Sequence, residues 1–107
     1  MSVSPDGTLL ATTGAEGTLR LRRRDGGAER FAVRVGRPGV LQTAFSPDGA
    51  VIAVSIDFAI QLRSAADGAL LSTIEVPMKG VYGLGFSPDG RFLANAAADG
   101  RVRVYEL

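Results

Sequence analysis

Three aspartates that recur in one short word are the first residues of this sequence that could do chemistry. Asp6, Asp48 and Asp89 each stand third in a Ser-Pro-Asp-Gly tetrapeptide, and the tetrapeptides are spaced by 42 and then 41 residues. Recurrent carboxylates could hold a metal ion or a cationic substrate. The alternative is turn chemistry, in which each side chain accepts hydrogen bonds from its own loop. We favour turn chemistry, because equivalent positions one repeat apart do not converge on one point.

The composition excludes several familiar kinds of active site. The 107 residues include no cysteine and no histidine, which removes disulfides, thiolate metal sites, cysteine nucleophiles and the commonest general base. Carboxylate chemistry stays open. Lysine and arginine together number 12 against 11 acidic residues, a net charge of +1. That balance gives no electrostatic case for nucleic acid or an anionic membrane. Because cysteine and histidine are missing, we expect no enzyme, no cofactor and no metal.

One local basic run departs from this even balance. Arg20, Arg22, Arg23 and Arg24 follow closely on one another and could contact nucleic acid or an acidic peptide. Alternation along a strand would instead place Arg20 and Arg22 on one solvated face, with Arg23 and Arg24 entering a turn. We favour this second interpretation and expect a protein partner, with no nucleic acid and no membrane.

The elements that hold these residues are three copies of one sequence pattern of about 40 residues. After each tetrapeptide comes an apolar residue followed by alanine, and then a turn. An alternating segment follows, whose apolar residues are Leu19 and Leu21, Ile60 and Leu62, and Val102 and Val104. Apolar residues at period two indicate a strand with one buried face.

The copies predict short antiparallel strands, named A to D, joined by tight turns. Repeat 1 covers 1–35 with strands B, C and D, repeat 2 covers 36–76 with strands A to D, and repeat 3 covers 77–107 with strands A, B and C. That makes about ten strands with near-zero helix. The sequence shows no secretory signal and no apolar stretch of the ~18 residues that a membrane helix needs, so a cytoplasmic protein is expected.

The third copy resembles a blade of the WD-repeat (WD40-like) β-propeller family, most clearly in FSPDGRFLANAAADGRVRVY, from Phe86 to Tyr105. The resemblance implies an all-β, incomplete β-propeller built from four-stranded antiparallel blades, with 1–107 as a single partial propeller. The family's Gly-His and Trp-Asp pairs are absent. The hydrogen-bonded cluster that these pairs form between family blades therefore cannot form, and we expect apolar packing alone to hold the blades together.

The resemblance also implies a function, that of a protein–protein interaction scaffold without catalytic or cofactor-binding residues. In the family, the B–C turns and D–A loops form one rim that often binds partners. The charged residues at those positions, called the rim residues here, are Glu16, Arg37, Asp57, Lys79 and Asp99. The alternatives are a fragment of a lactonase-like propeller enzyme and a regulatory sensor domain of a larger signalling protein.

The number of copies bears on assembly, because a propeller closes with 4 to 8 blades and this chain supplies about two and a half. We expect the C-terminal portion of a larger propeller, with the missing blades upstream in the same chain. The alternative is a homo-oligomer, since two copies would give about six blades. Phe58 replaces the glycine of the other B–C turns, so that turn should differ if glycine there has positive φ.

Overall fold

Eleven β-strands make up the regular structure of the described residues. A computed structural model describes residues 2–14, 17–36, 42–56, 58–76, 81–97 and 99–107. Every regular element within these ranges is a strand, which confirms the all-β prediction and the near-zero helix content. The strands are β1 (Ser2–Val3), β2 (Leu9–Thr13), β3 (Thr18–Arg23), β4 (Glu29–Arg34), β5 (Thr43–Phe45), β6 (Val51–Ile56), β7 (Ala59–Ser64), β8 (Leu70–Glu75), β9 (Val81–Phe86), β10 (Phe92–Ala97) and β11 (Val102–Glu106).

The strands form three antiparallel sheets, one for each repeat, which we call blades one, two and three. Blade one has the order β1-β2-β3-β4, blade two β5-β6-β7-β8 and blade three β9-β10-β11. Each strand pairs with its neighbour in sequence, as hairpin connections require. The sequence led us to expect three strands in repeat 1. The structure adds β1, whose two residues pair with Ala11 and Leu10 of β2.

The Ser-Pro-Asp-Gly words form the tight A–B turns of all three blades. In blade one the Gly7 amide donates to the Ser4 carbonyl at 2.9 Å, and Gly49 and Gly90 donate to Ser46 and Ser87 at the same distance. The three glycines have φ between 74° and 77°, a conformation that is open to glycine at little cost. The recurring glycine is therefore a requirement of the turn.

Blades one and two pack face to face through aliphatic side chains. We call the face of a blade that contacts the preceding blade its front, and the opposite face its back. The back of blade one presents Leu19 and Leu21, which are fully buried against Ile52 and Val54 on the front of blade two. Residues that pair across neighbouring strands lie on the same side of a sheet. The alternation of apolar and polar residues predicted from the sequence therefore places Leu19 and Leu21 together on the back of blade one.

Blades two and three form a second interface with the same architecture. The back of blade two contributes Ala53 and Ile60, and the front of blade three contributes Leu93; all three are fully buried. Phe86 and Tyr105 pack against them half-buried. The fold therefore consists of three blades stacked in one direction, front on back.

The expectation that apolar packing alone joins the blades is wrong. The Ser2 and Thr43 hydroxyls of blades one and two lie 3.0 Å apart in a hydrogen bond. In addition, Arg30 Nη1 donates to the Ala65 carbonyl at 3.4 Å. These polar contacts cross the first interface at its inner and outer ends, on strand A and strand D of blade one.

The prediction that Val102 and Val104 are buried like their counterparts is also wrong. Val102 is 69% exposed and Val104 is 63% exposed, whereas Leu19 and Leu21 at the matching positions are completely buried. The physical reason is that burial of a blade's back depends on the next blade. No further blade lies on the back of blade three within the described residues.

The B–C turn of blade two has a different geometry from the other two. Ile56 pairs directly with Ala59, so only two residues connect the strands. Gly17 and Gly100, in the longer turns of the other blades, have φ of 79° and 80°. A phenylalanine would be strained at that φ, so the longer turn of the other two blades would not suit Phe58.

Candidate interaction surfaces

The rim predicted from the sequence is described at one residue only. Asp99 lies in the B–C turn of blade three. The other four rim residues, Glu16, Arg37, Asp57 and Lys79, lie outside the described residues.

Asp99 is held by its own hairpin. Its carboxylate accepts hydrogen bonds from Arg103 Nη2 at 2.8 Å and from the Arg101 amide at 3.1 Å. The two side chains of the ion pair are 24% and 22% exposed. The hydrogen bond from Arg103 is the main cause that lowers the pKa of Asp99. The carboxylate is therefore anionic and already partnered, and a ligand would meet the ion pair rather than a free acid.

The Ser-Pro-Asp-Gly aspartates, which recur in every copy, are engaged within their own turns. Each carboxylate accepts from the serine hydroxyl two residues before it, at 2.7 Å in blade one and 2.6 Å in blades two and three. Each also accepts from the amide two residues after it at 3.0 Å. Within each turn the serine oxygen in turn accepts from the amide that opens strand B, at 3.0 Å. This geometry, in which the hydrogen bonds converge on Oδ1 of each aspartate, agrees with turn chemistry.

These hydrogen bonds set the ionisation of the three aspartates. The Ser4 hydroxyl, followed by the Thr8 amide and hydroxyl, lowers the pKa of Asp6 to about 2. The hydroxyls of Ser46 and Ser87 are the main cause that lowers the pKa of Asp48 and Asp89. Hydrogen bonds to a charged form favour that form. All three therefore stay anionic at neutral pH, so none of them can act there as a general acid.

The three turns also contact one another, in a row that we call the turn ladder. A Cβ on Gly49 would lie 3.7 Å from Pro5 Cδ, and a Cβ on Gly90 would lie 3.8 Å from Pro47 Cδ. The proline of each turn therefore packs on the glycine of the next turn. The ladder has two ends, Gly7 in blade one and Pro88 in blade three.

A groove of about 560 Å³ runs between the turns of blades two and three. Its lining includes the apolar side chains of Leu62, Phe86 and Leu107 and the carboxylates of Asp48 and Asp89. The sequence analysis missed this groove. The sequence feature that could have indicated the groove is the recurrence of proline beside aspartate. This pair places one apolar and one acidic group at each turn.

The arginine run is largely partnered by nearby acids. Arg20 Nη1 lies 2.9 Å from Glu29 Oε1, and Arg22 Nη2 lies 3.8 Å from the same oxygen. Arg23 forms an ion pair with Asp25 at 3.0 Å. Arg20 and Arg22 point to one face of β3, as alternation predicts. Two carboxylates, those of Glu29 and Asp25, face the four arginines of the run and offset half of its charge, which weakens the case for a polyanion.

The described ranges contain neither a metal-binding cluster nor a membrane-spanning helix. No three acidic side chains within them come together in a way that could hold a metal ion. The same ranges contain no helix of the length and apolar character needed to cross a membrane.

Comparisons with known proteins agree with this architecture. The sequence family described as "WD domain, G-beta repeat" matches residues 1–22 and 68–106. The fold is similar to the solved "Structure of U3-55K", with a TM-score of 0.86 and 21% identity over 99% of this chain. This chain spans 35% of the length of that one, and identity at this level shows a shared fold only. The comparison with curated proteins finds no match.

Proposed function

Because the WD domain, G-beta repeat family matches more than half of its residues, the chain belongs to that family, and we propose that it acts as a protein-interaction scaffold without a catalytic step of its own. One observation carries the proposal. In the described ranges, aliphatic side chains fill most of the space between blades. Most ionised groups lie in turns and on outer faces, with Arg63 half-buried on the front of blade two as the exception. Such an arrangement presents charged loops on a rigid support.

The surface proposed for the partner is the rim formed by the rim residues, at the end of the blades opposite the turn ladder. Antiparallel hairpins place the A–B and C–D turns at one end and the B–C turns at the other. Asp99, anchored by Arg103 and by the amide of Arg101, supports the idea that this end keeps a fixed charge pattern. Pre-organised charges favour a specific partner, because little ordering is needed on binding.

The test compares two double variants in an affinity capture followed by mass spectrometry. Asp57→Asn/Asp99→Asn neutralises the rim, and Asp25→Asn/Asp67→Asn makes the same charge change in the C–D turns at the opposite end. We expect wild type and the C–D variant to capture the same partner, and the rim variant to lose it at least tenfold. Loss with the C–D variant alone, or a purified chain that hydrolyses a lactone or ester, would overturn the proposal.

The scaffold proposal includes a ring with more blades than this chain contributes. Closed propellers have 4 to 8 blades, and the three blades described here leave a front and a back without a neighbour. Upstream blades of a longer chain, of which this chain is the C-terminal portion, could supply the rest, and so could a second copy. A cytoplasmic location is part of the same proposal.

A further inference from the structure

The groove between the turns of blades two and three lies beside a position that the first interface fills with an aromatic ring. Leu62 lines the groove and is half-buried, whereas Leu21, at the matching position of blade one, is completely buried. Leu21 pairs across the strands with Phe31, and Leu62 pairs with Ser72. Since paired residues lie on the same face of a sheet, serine stands beside the groove where blade one has phenylalanine.

Phe31 shows how an aromatic side chain is held at this position. It packs half-buried against the core of the first interface. A Cβ on Gly68 of blade two would lie 2.8 Å from its Cδ1, so the ring reaches from one blade onto the next. Ser72 is exposed and carries only a hydroxymethyl group, which leaves part of the Leu62 side chain accessible from the groove.

The two carboxylates of the groove each have a free acceptor oxygen. Hydrogen bonds within the turns converge on Oδ1 of Asp48 and of Asp89. Among the described residues, no donor contacts Oδ2 of either aspartate, and no cation forms an ion pair with either. The serine hydroxyls, followed by the turn amides, lower the pKa of both aspartates, which keeps them anionic at neutral pH.

The residues around the groove do not neutralise this charge. The described residues that line the groove include no lysine and no arginine. Arg91 follows Asp89 closely in sequence, but its guanidinium lies 5.6 Å from the centre of the Phe92 ring. Phe92 precedes the front residue Leu93 in β10 and therefore lies on the back of blade three. A ligand that brings its own cation would meet two carboxylates without a competing partner.

We propose that this groove binds a peptide segment of a protein partner in which a large apolar side chain stands beside a lysine or arginine. The apolar side chain packs on Leu62, in the place that Phe31 has at the first interface. The cation pairs with Asp48 and Asp89. The groove is open to solvent, as a passing segment requires, and its volume of about 560 Å³ is within the range of ligand sites, about 300–1,000 Å³.

This groove is a second interaction surface, separate from the rim. It lies at the end of the blades that carries the turn ladder, and its argument does not use the rim residues. Burial of the apolar side chain supplies most of the affinity, and the carboxylates select a cationic segment over an acidic one.

The first experiment measures the binding of short fluorescein-labelled peptides to the chain by fluorescence polarisation. In one set of peptides, lysines flank a phenylalanine, leucine or tryptophan, and the other positions are glycine or serine. Two matched sets replace the lysines by glutamate or the apolar residue by glycine. We expect saturable binding in the first set and at least tenfold weaker binding of both counterparts. No binding in the first set, or equal binding of the glutamate set, would overturn the proposal.

A charge variant tests whether the two aspartates hold the cation. Asp48→Asn/Asp89→Asn keeps Oδ1 as the acceptor for the turn and removes both charges. The matched control, Asp6→Asn/Asp25→Asn, makes the same charge change in the turns of blade one, outside the groove. We expect the groove variant to bind the lysine peptide about fivefold more weakly, since exposed ion pairs each contribute little, and the control to bind like wild type. Equal losses in both would indicate a general attraction between charges and would overturn the groove as the site.

A second variant fills the groove from within. Ser72→Phe supplies the ring that Phe31 supplies at the first interface. Thr73→Phe is its control, because Thr73 pairs with Gln61 and lies on the other face of β8. We expect Ser72→Phe to weaken peptide binding at least tenfold and Thr73→Phe to leave it unchanged, with both variants folded by far-ultraviolet circular dichroism. Undiminished binding by Ser72→Phe would show that the peptide lies elsewhere.

A rim variant separates this proposal from the scaffold proposal. Asp99→Asn changes the rim and should leave the affinity for the lysine peptide unchanged. Loss of the peptide with Asp99→Asn would place its site at the rim and overturn the groove. Failure to capture a partner at the rim, together with intact peptide binding, would contradict the rim proposal alone.

Discussion

The two interfaces between blades have the same architecture and different quality. The first is filled by fully buried aliphatic side chains, including Leu21 and Val54, and carries the hydrogen bond between Ser2 and Thr43. In the second, Asn95 stands at the position of Val54, only 2% exposed, and neither its amide nitrogen nor its oxygen has a hydrogen-bond partner. The position of a residue in the repeat determines whether its side chain faces the neighbouring blade. The type of that side chain determines how much the contact stabilises the fold.

The largest effect on the free energy of unfolding is expected from truncating one leucine in each interface, which tests this comparison directly. Leu21 and Leu62 occupy the same repeat position; Leu21 is completely buried, and Leu62 lies half-buried beside the groove. Leu21→Ala should lower the free energy of unfolding by about 3–4 kcal/mol, because it removes transfer energy and leaves a cavity. Leu62→Ala should cost about 1–2 kcal/mol, since less of the side chain is removed from water.

The measurement is urea unfolding followed by circular dichroism, at one protein concentration for all variants because association adds apparent stability. Equal losses for the two leucines would mean that the interfaces stabilise equally and that the comparison is wrong. Unfolding in two steps, with only one step shifted by Leu21→Ala, would show that the interfaces come apart separately, as nearest-neighbour coupling in repeat proteins allows.

A matched pair of glycines probes the outer edge of the first interface. Gly26 and Gly68 stand in the C–D turns of blades one and two, with φ of 85° and 80°. A Cβ on Gly68 would lie 2.8 Å from Phe31 Cδ1 and 3.1 Å from Val33 Cγ1 of blade one, whereas a Cβ on Gly26 would meet nothing within 4 Å. Both substitutions have the energetic cost of alanine at positive φ. Gly68→Ala has in addition a steric overlap with blade one, which Gly26→Ala does not have.

We expect Gly26→Ala to cost about 1 kcal/mol from positive φ. Gly68→Ala should cost about 2–4 kcal/mol, because an overpacked contact adds about 1–3 kcal/mol to the same backbone cost. Thermal unfolding at one concentration compares the two variants. The same shift for both would show that the C–D turn of blade two is not part of the first interface.

Much of this fold follows from the sequence because a fixed word spacing and period-two alternation determine which residues share a blade face. Leu19, Leu21 and Ile60 are buried as that pattern predicts. The exposure of Val102 does not follow from it, since burial of a back depends on a neighbour that the pattern of one strand does not describe. The groove beside Leu62 depends on how successive turns are oriented. Of the rim residues, Asp99 is described. Its ion pair with Arg103 depends on side-chain conformations, which the spacing of residues in the sequence does not determine.

The smallest expected effect is a gain in the free energy of unfolding. It comes from a substitution that makes the second interface more like the first. Asn95→Val installs the residue that repeat two carries at Val54, where it is completely buried. A buried amide without partners costs about 1–3 kcal/mol, and valine recovers only part of that because its branched side chain differs in shape from the amide and the site must repack around it. We expect a net gain of about 1–2 kcal/mol in urea unfolding. The reverse control, Val54→Asn, should destabilise by at least as much. If Asn95→Val destabilised the protein, Asn95 would have a polar partner in solution, and the second interface would be held by a hydrogen bond rather than weakened by an amide without one.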